Sequence, residues 1–313
     1  MTGAAQRVLK NGSALIFVLL ALAGIVFVRS FASLENAAII ARQAAIPAIA
    51  VLGMTMVLMT GGIDLSLGFV VGLASTATGF MAKVWGFPVG VTVAATVLLG
   101  SLVGLLNGAV VQYMKVPAFI TTLGTGYILY GVSQLMSAGN VITRLPPSLL
   151  AVGRTELLGL PTSVFIAVGM AGLAWFFIHR SVFGRALSAF GFNARAASLS
   201  GLRTARVNVL TYVLCSSLAA LAGLLLTIRV NAAQPNMGGG AFTFEIVTAA
   251  IVGGTSLFGG IGSVIGSIFG VLIIKIIENC INLLNVSYHL YLAVQGGIIL
   301  AVIVMDRLRS RAT

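Results

Sequence analysis

Val84–Met114, VWGFPVGVTVAATVLLGSLVGLLNGAVVQYM, runs for 31 residues without a charged side chain. A hydrocarbon core about 30 Å thick is crossed by roughly 20 apolar helical residues, so this stretch spans it with residues to spare. Charge-free windows of eighteen or more residues recur at 11–28, 43–63, 65–82, 116–143, 157–179, 207–228, 246–274 and 279–305. A helix pairs its own backbone N–H and C=O groups, as a bilayer interior demands. The sequence therefore predicts an all-α integral membrane protein, a polytopic helical bundle.

Composition agrees. Mean hydropathy is +1.11, and only 8% of residues are charged, against roughly 25% in a soluble domain. That leaves no room for a separate soluble unit, so residues 1–313 read as one transmembrane domain. The longest stretches able to lie outside the membrane are 139–161 and 180–206.

The net charge of +12 raises the possibility of nucleic-acid binding, but the basic residues sit at span ends rather than on one patch. Arg7 and Lys10 precede the first window, Arg180, Arg185, Arg195, Arg203 and Arg206 fill one loop without an acid, and Arg307, Arg309 and Arg311 follow the last. By the positive-inside rule these three segments, and with them both termini, are cytoplasmic. The loop with Arg144, Arg154 and Glu156 is then external. An even number of spans follows. About ten fit (13–29, 38–60, 66–82, 89–111, 118–138, 162–179, 207–228, 242–256, 262–281 and 288–305), or eight if two segments are re-entrant. No small-x-small cleavage site closes the first window, so it reads as a retained helix. Trp85, Tyr113, Trp175, Tyr288 and Tyr291 fall near span ends, where interfacial aromatics belong. Cys215 and Cys280 lie in mid-span and read as packing residues.

The 38 glycines are patterned. Gly100, Gly104 and Gly108 repeat at every fourth residue, as do Gly262, Gly266 and Gly270, and Gly68 and Gly72 start a third ridge. Small residues let helix backbones approach closely in lipid, where no water drives association. Two glycine-rich breaks also echo each other, Gly61–Gly68 (GGIDLSLG) and Gly253–Gly260 (GGTSLFGG). Each ends one apolar helix and starts another, and such interruptions point to a substrate pathway in transporters.

Ionisable residues inside a bilayer need a reason. Asp64 caps the helix that starts near Ser66, or lines a pathway. Glu245 sits at the start of an apolar run. Lys275 and Glu278 are spaced to pair on one helix, and Asn279 and Asn282 extend that face. The candidate translocation residues are Asp64, Ser66, Asn107, Thr255, Ser256 and Asn279. His179 and His289 are isolated, so no metal pair is expected. No nucleophile–base motif and no Walker A loop occurs, so neither catalytic residues nor a cofactor is expected.

The loop Gly184–Leu202, GRALSAFGFNARAASLSGL, carries small residues at helical spacing, an Asn at a cap position and a terminating Gly, and predicts a short amphipathic helix. At this point the chain resembles the permease subunits of bacterial ABC sugar importers of the ribose, xylose and arabinose group. The resemblance runs from the first span to the last. Its markers are GGIDLSLG (61–68), Asn107-Gly108, PAFITTLG (117–124), Gly184-Arg185, Asn193–Gly201 and GGTSLFGG (253–260).

That resemblance implies a monosaccharide permease of the bacterial inner membrane, driven by a separate ABC ATPase subunit. It also implies a periplasmic sugar-binding protein and a second permease subunit, identical or a sister chain. It places docking to the ATPase on Gly184, Arg185, Asn193, Arg195, Ala196, Ala197 and Gly201. The family commonly carries Glu where this chain has Ala194 and Arg195. A permease for amino acids or another small solute, or an ion-coupled transporter using Asp64, Glu245 or Glu278, are the alternatives.

Overall fold

The computed structural model describes residues 3–284, 287, 292–298, 300, 301 and 304, with side chains from residue 12 onward. In chain order the elements are α1 (Gly3–Phe27), α2 (Leu34–Met59), α3 (Leu67–Gly79, continued by a π-helical turn Phe80–Val84), α4 (Val89–Tyr113) and α5 (Ala118–Ser137). There follow β1 (Ile142–Thr143), α6 (Pro147–Arg154), β2 (Glu156–Leu157), β3 (Leu160–Pro161), α7 (Thr162–Arg180), α8 (Val182–Phe192) and α9 (Ala194–Leu199). The last are α10 (Thr204–Val230), β4 (Ala232–Ala233), α11 (Gly239–Val252) and α12 (Val264–Leu283). The predicted span 288–305 falls largely outside the described residues, as do Tyr288, His289, Tyr291, Arg307, Arg309, Arg311 and the side chains of Arg7 and Lys10.

Six helices among the described residues are long and apolar enough to cross a membrane: α2, α3 with its π-turn, α4, α7, α10 and α12. Their starts are set locally. Pro88, Pro117, Pro146 and Pro161 stand immediately before α4, α5, α6 and α7, where the missing N–H costs nothing and φ is preset. Ser33, Ser181 and Ser263 cap α2, α8 and α12 through their hydroxyls, accepting from Asn36, Gly184 and Gly266 N.

The core is built around α2, α3 and α10. From Ala44 to Met59 every residue of α2 is buried, as is nearly all of α3. The predicted glycine ridges mark the tightest contacts. A side-chain carbon on Gly100, Gly104 or Gly108 would strike the α10 backbone at Ser216, Tyr212 or Val209, and Gly53 meets Cys215 in the same way. Gly266 and Gly270 press on Gly253 and Ala249, holding α12 against α11.

The predicted span 242–256 takes a different form. α11 has 14 residues, about 21 Å at 1.5 Å per residue, too short to cross alone. The chain before it is not helical. β4 pairs with β1, Ala233 opposite Ile142, and residues 234–238 then run along α3. Gly79 meets Ala233, Gly72 meets the carbonyls of Pro235 and Met237, and Gly68 meets that of Gly239. Ser75 Oγ accepts from Gln234 N at 3.1 Å and from Thr227 Oγ1 at 2.7 Å. The third glycine ridge thus receives an irregular turn at Gly72, closed by Met237 N on Gln234 O, and the first residue of α11 at Gly68.

Candidate functional site

α2 ends at Met59 and the chain turns through Gly61, whose φ of +76° suits glycine. Asp64 Oδ1 then accepts from Ser66 N at 2.9 Å and from Ser66 Oγ at 2.5 Å, and Asn107 Nδ2 donates to Ser66 Oγ at 2.9 Å. Three predicted residues, Asp64, Ser66 and Asn107, meet in one knot without solvent exposure. Asp64 closes the turn ahead of α3 through Ser66 and makes no capping bond to the first helical amides, so the expected helix cap is not formed.

Two threonines missed in the sequence share that work. Leu65 N donates to Thr122 Oγ1 at 3.0 Å, and Gly68 N to Thr243 Oγ1 at 2.9 Å. Thr122 lies in the PAFITTLG marker; no sequence signal distinguishes Thr243. α10 brings Tyr212, Cys215 and Ser216 against the carboxylate. Asn107 Oδ1 and Tyr212 OH end without a hydrogen-bond partner among the described residues. Each such group costs about 1–3 kcal/mol in a dry interior, in contrast to the buried hydroxyls that are paired, such as Thr55 with Ser267 and Thr227 with Ser75.

The second break joins the first. Thr255 Oγ1 lies 3.3 Å from Ser267 Oγ, which accepts from Thr55 Oγ1 of α2 at 2.7 Å. Gly260 N donates to Met59 O at 2.9 Å. Ser256 N bonds Ile261 O, closing the turn. A side-chain carbon on Gly191 of α8 would collide with Met59 O and Gly260 N, and Gly259 packs between Gly191 and Gly61. The two echoing glycine breaks therefore meet in space at the end of α2, and the 180–206 segment is wedged against both.

Within that segment the predicted short helix is α9. Asn193 caps it, its Oδ1 accepting from Ala196 N at 2.9 Å, and Gly201 ends it at a φ of +80°. Arg185, Asn193, Arg195, Ala196 and Gly201 are exposed, whereas Gly184 and Ala197 are buried. Gly184 has a packing reason: any side chain there would strike Ile178 O at the α7–α8 corner. Phe192 and Leu199, not singled out in the sequence, are 69% and 83% exposed.

Asn279 is elsewhere. It exchanges two amide hydrogen bonds with Asn36, at 2.8 and 3.0 Å, fastening α12 to α2. Lys275 pairs with Glu278 at 2.8 Å, as its spacing predicts, and also with Glu245 of α11 at 2.7 Å. At the end of the bundle that carries residues 139–161, Arg42 bonds Glu156 at 3.2 Å and Gly159 O at 2.9 Å, and Arg154 bonds Arg229 O at 2.6 Å. Among the described residues no group of three or more His, Cys, Asp or Glu could hold a metal ion.

Comparison with known proteins gives this architecture a family. Residues 36–303 match the family described as branched-chain amino acid transport system / permease component. The ribose import permease protein of Bacillus subtilis is 38% identical over 276 residues, covering 86% of this chain and 84% of that protein. The Haemophilus influenzae ribose import permease protein is 34% identical over 280 residues, covering 88% and 86%. The L-arabinose transport system permease protein of Escherichia coli is 32% identical over 307 residues, covering 97% and 92%. No solved structure matches the chain. A match to the family over most of its length, together with relatives above 30% identity over nearly the whole chain, establishes that this multi-pass membrane protein belongs to that family of transport-system permeases.

Proposed function

We propose that this chain is the membrane-spanning subunit of an ABC importer that carries a monosaccharide into the bacterial cytoplasm. The observation that supports it most is full-length similarity to permeases named for ribose and for L-arabinose. In this reading residues 1–313 form one domain of about ten spans in the bacterial inner membrane. Both termini are cytoplasmic, and α11 with the strand before it makes one discontinuous crossing. Two such subunits, identical or sister chains, enclose the route. A periplasmic sugar-binding protein loads it from outside. A separate ATPase pair docks on Arg185, Asn193, Arg195, Ala196 and Gly201, around the exposed apolar side chains Phe192 and Leu199.

The wedge at Gly191 supplies the mechanics of coupling. A push on α8–α9 bears directly on Met59 and Gly260, the hinge where both glycine breaks converge. The unpaired Asn107 Oδ1 and Tyr212 OH beside Asp64 make that hinge easier to rearrange than the paired helix joints about it. Asp64, Ser66, Asn107, Thr255, Ser256 and Asn279 then act by shaping the hinge and the helix joints. The chain itself carries no chemistry, only conformational change, so hydrolysis belongs to the ATPase.

The deciding experiment is purification of the tagged chain from its own membrane, identification of what accompanies it, and reconstitution with labelled D-ribose, L-arabinose and L-leucine. Recovery of an ABC ATPase with ATP-dependent pentose uptake supports the reading. ATP-dependent leucine uptake would move the substrate to amino acids. Uptake without ATP that collapses with an uncoupler would make the chain an ion-coupled transporter.

A further inference from the structure

The solute cannot run past the residues that first attract attention. Asp64, Ser66 and Asn107 are fully buried, and Thr255 and Asn279 nearly so; all are enclosed within one subunit. A route between subunits must instead be lined by polar or aromatic groups on an outer face at mid-membrane depth.

Most outer faces are unsuited to that. α4 turns Leu98, Leu102 and Leu106 outward, and α7 turns out Val168, Leu173 and Phe176, as lipid-facing helices do. The face shared by α5, α3 and α11 differs. α5 is not one of the six helices that qualify by length and hydropathy but is one of the ten spans of the reading above; Tyr127 lies halfway along it and is 64% exposed. Tyrosine normally gathers at the membrane interfaces rather than at the centre of a span. Its ring packs against Phe69 of α3, centroids 5.6 Å apart, and Tyr130 meets the same Phe69 edge-on at 6.4 Å. Gln134 Nε2 donates to Tyr130 OH at 2.7 Å, placing an amide one helical turn further on.

Around α3 from Phe69, Gly72 holds the turn 234–238, whose Asn236 is exposed, and Gly68 holds the first residue of α11. Gly124 and Gly131 of α5 have open space where a side chain would stand. Non-helical backbone at this depth is tolerated only against protein or beside a water-filled route. Aromatic rings flanked by a few hydrogen-bonding groups are the usual make-up of a small-molecule site.

We propose that Tyr127 and Phe69 form an aromatic platform on which the transported sugar stacks midway across the membrane, with Tyr130, Gln134 and Asn236 supplying hydrogen bonds at its rim. The assignment rests on the monosaccharide reading above. A sugar ring offers a flat C–H face to an aromatic ring and hydroxyls at its edge, and this patch offers the complement of both. α5 thereby becomes the specificity element.

The test uses the assembled importer in membrane vesicles, with Cys215 and Cys280 replaced. Tyr127→Cys is compared with Leu102→Cys for reaction with a membrane-impermeant thiosulfonate, and Tyr127→Ala and Tyr127→Phe are assayed for D-ribose and L-arabinose uptake. We expect position 127 to react and position 102 not to. Tyr127→Ala should slow saturated uptake by about three- to ten-fold, the worth of an aromatic stacking contact, and Tyr127→Phe should restore most of it. A position 127 as unreactive as position 102 would show a lipid-facing ring and overturn the proposal, whichever solute is carried. Normal uptake by Tyr127→Ala at a reactive site would overturn the stacking contact. A wild-type importer that takes up neither sugar removes the premise itself, and the thiol reaction then still reports where the aqueous route lies.

Discussion

At the scale of single residues, the knot of Asp64, Ser66 and Asn107 makes the sharpest predictions. Asp64→Ala removes the acceptor for both Ser66 N and Ser66 Oγ. Stranding buried donors in this way costs about 1–3 kcal/mol, which should appear as a lower melting midpoint in detergent. Asp64→Asn keeps an oxygen in place and should cost less. Because Asn107 reaches Asp64 only through Ser66, Asn107→Ala and Ser66→Ala should be non-additive in a double-mutant cycle; simple additivity would mean the three do not act as a unit. Glycines separate two kinds of damage. Gly191→Ala must displace the Met59 carbonyl and the Gly260 amide, so it should cut uptake sharply. Gly201→Ala meets open space and suffers only from its positive φ, a cost of about 1 kcal/mol. A larger uptake defect at 201 than at 191 would place coupling in α9 rather than in the wedge.

At the scale of elements, the α11–α12 pair is held by glycine packing and by the ion trio Glu245, Lys275 and Glu278. Lys275 is 8% exposed, so Lys275→Met leaves two carboxylates facing each other without their shared cation. Removing one partner of a buried ion cluster costs about 3–5 kcal/mol. The variant should be poorly expressed or melt early, and adding Glu245→Gln with Glu278→Gln should recover much of the loss. Failure of that rescue would show that Lys275 has some other task. The α8–α9 element makes the opposite kind of prediction. Phe192 and Leu199 are exposed, so Leu199→Asp should leave stability within about 0.5 kcal/mol of wild type, with a nearly unchanged melting midpoint, and reduce co-purification of the proposed ATPase. Unchanged recovery of the ATPase would move docking off α9.

At the scale of the whole molecule, the sequence by itself determined the class. Windows free of charge and long enough to cross a bilayer admit little other than a helical membrane protein, because burying charge in hydrocarbon is costly at every position and its absence is visible residue by residue. The ridges Gly100–Gly108 and Gly262–Gly270 were legible for a similar reason, since a missing side chain at helical spacing is a local fact with one packing use. Asn193 and Gly201 as the ends of α9 and the Lys275–Glu278 pair were read from spacing alone, whereas Asp64 bonds Ser66 ahead of α3 rather than capping the helix. Only the tertiary structure decided which partners those residues meet. An apolar helix has no polar face to fix its rotation, so nothing marked Thr243, Tyr212 or Ser216 as neighbours of the α3 start, or drew Asn279 to Asn36. Spacing could pair Lys275 with Glu278 on one helix but could not supply Glu245 from another. Hydropathy likewise scored 242–256 as a span, because it measures how apolar a residue is and not whether its backbone is helical. The broken crossing follows from α3, whose glycines leave a groove filled by the irregular segment 234–238 and the start of α11, and that contact exists only once the segments are folded together.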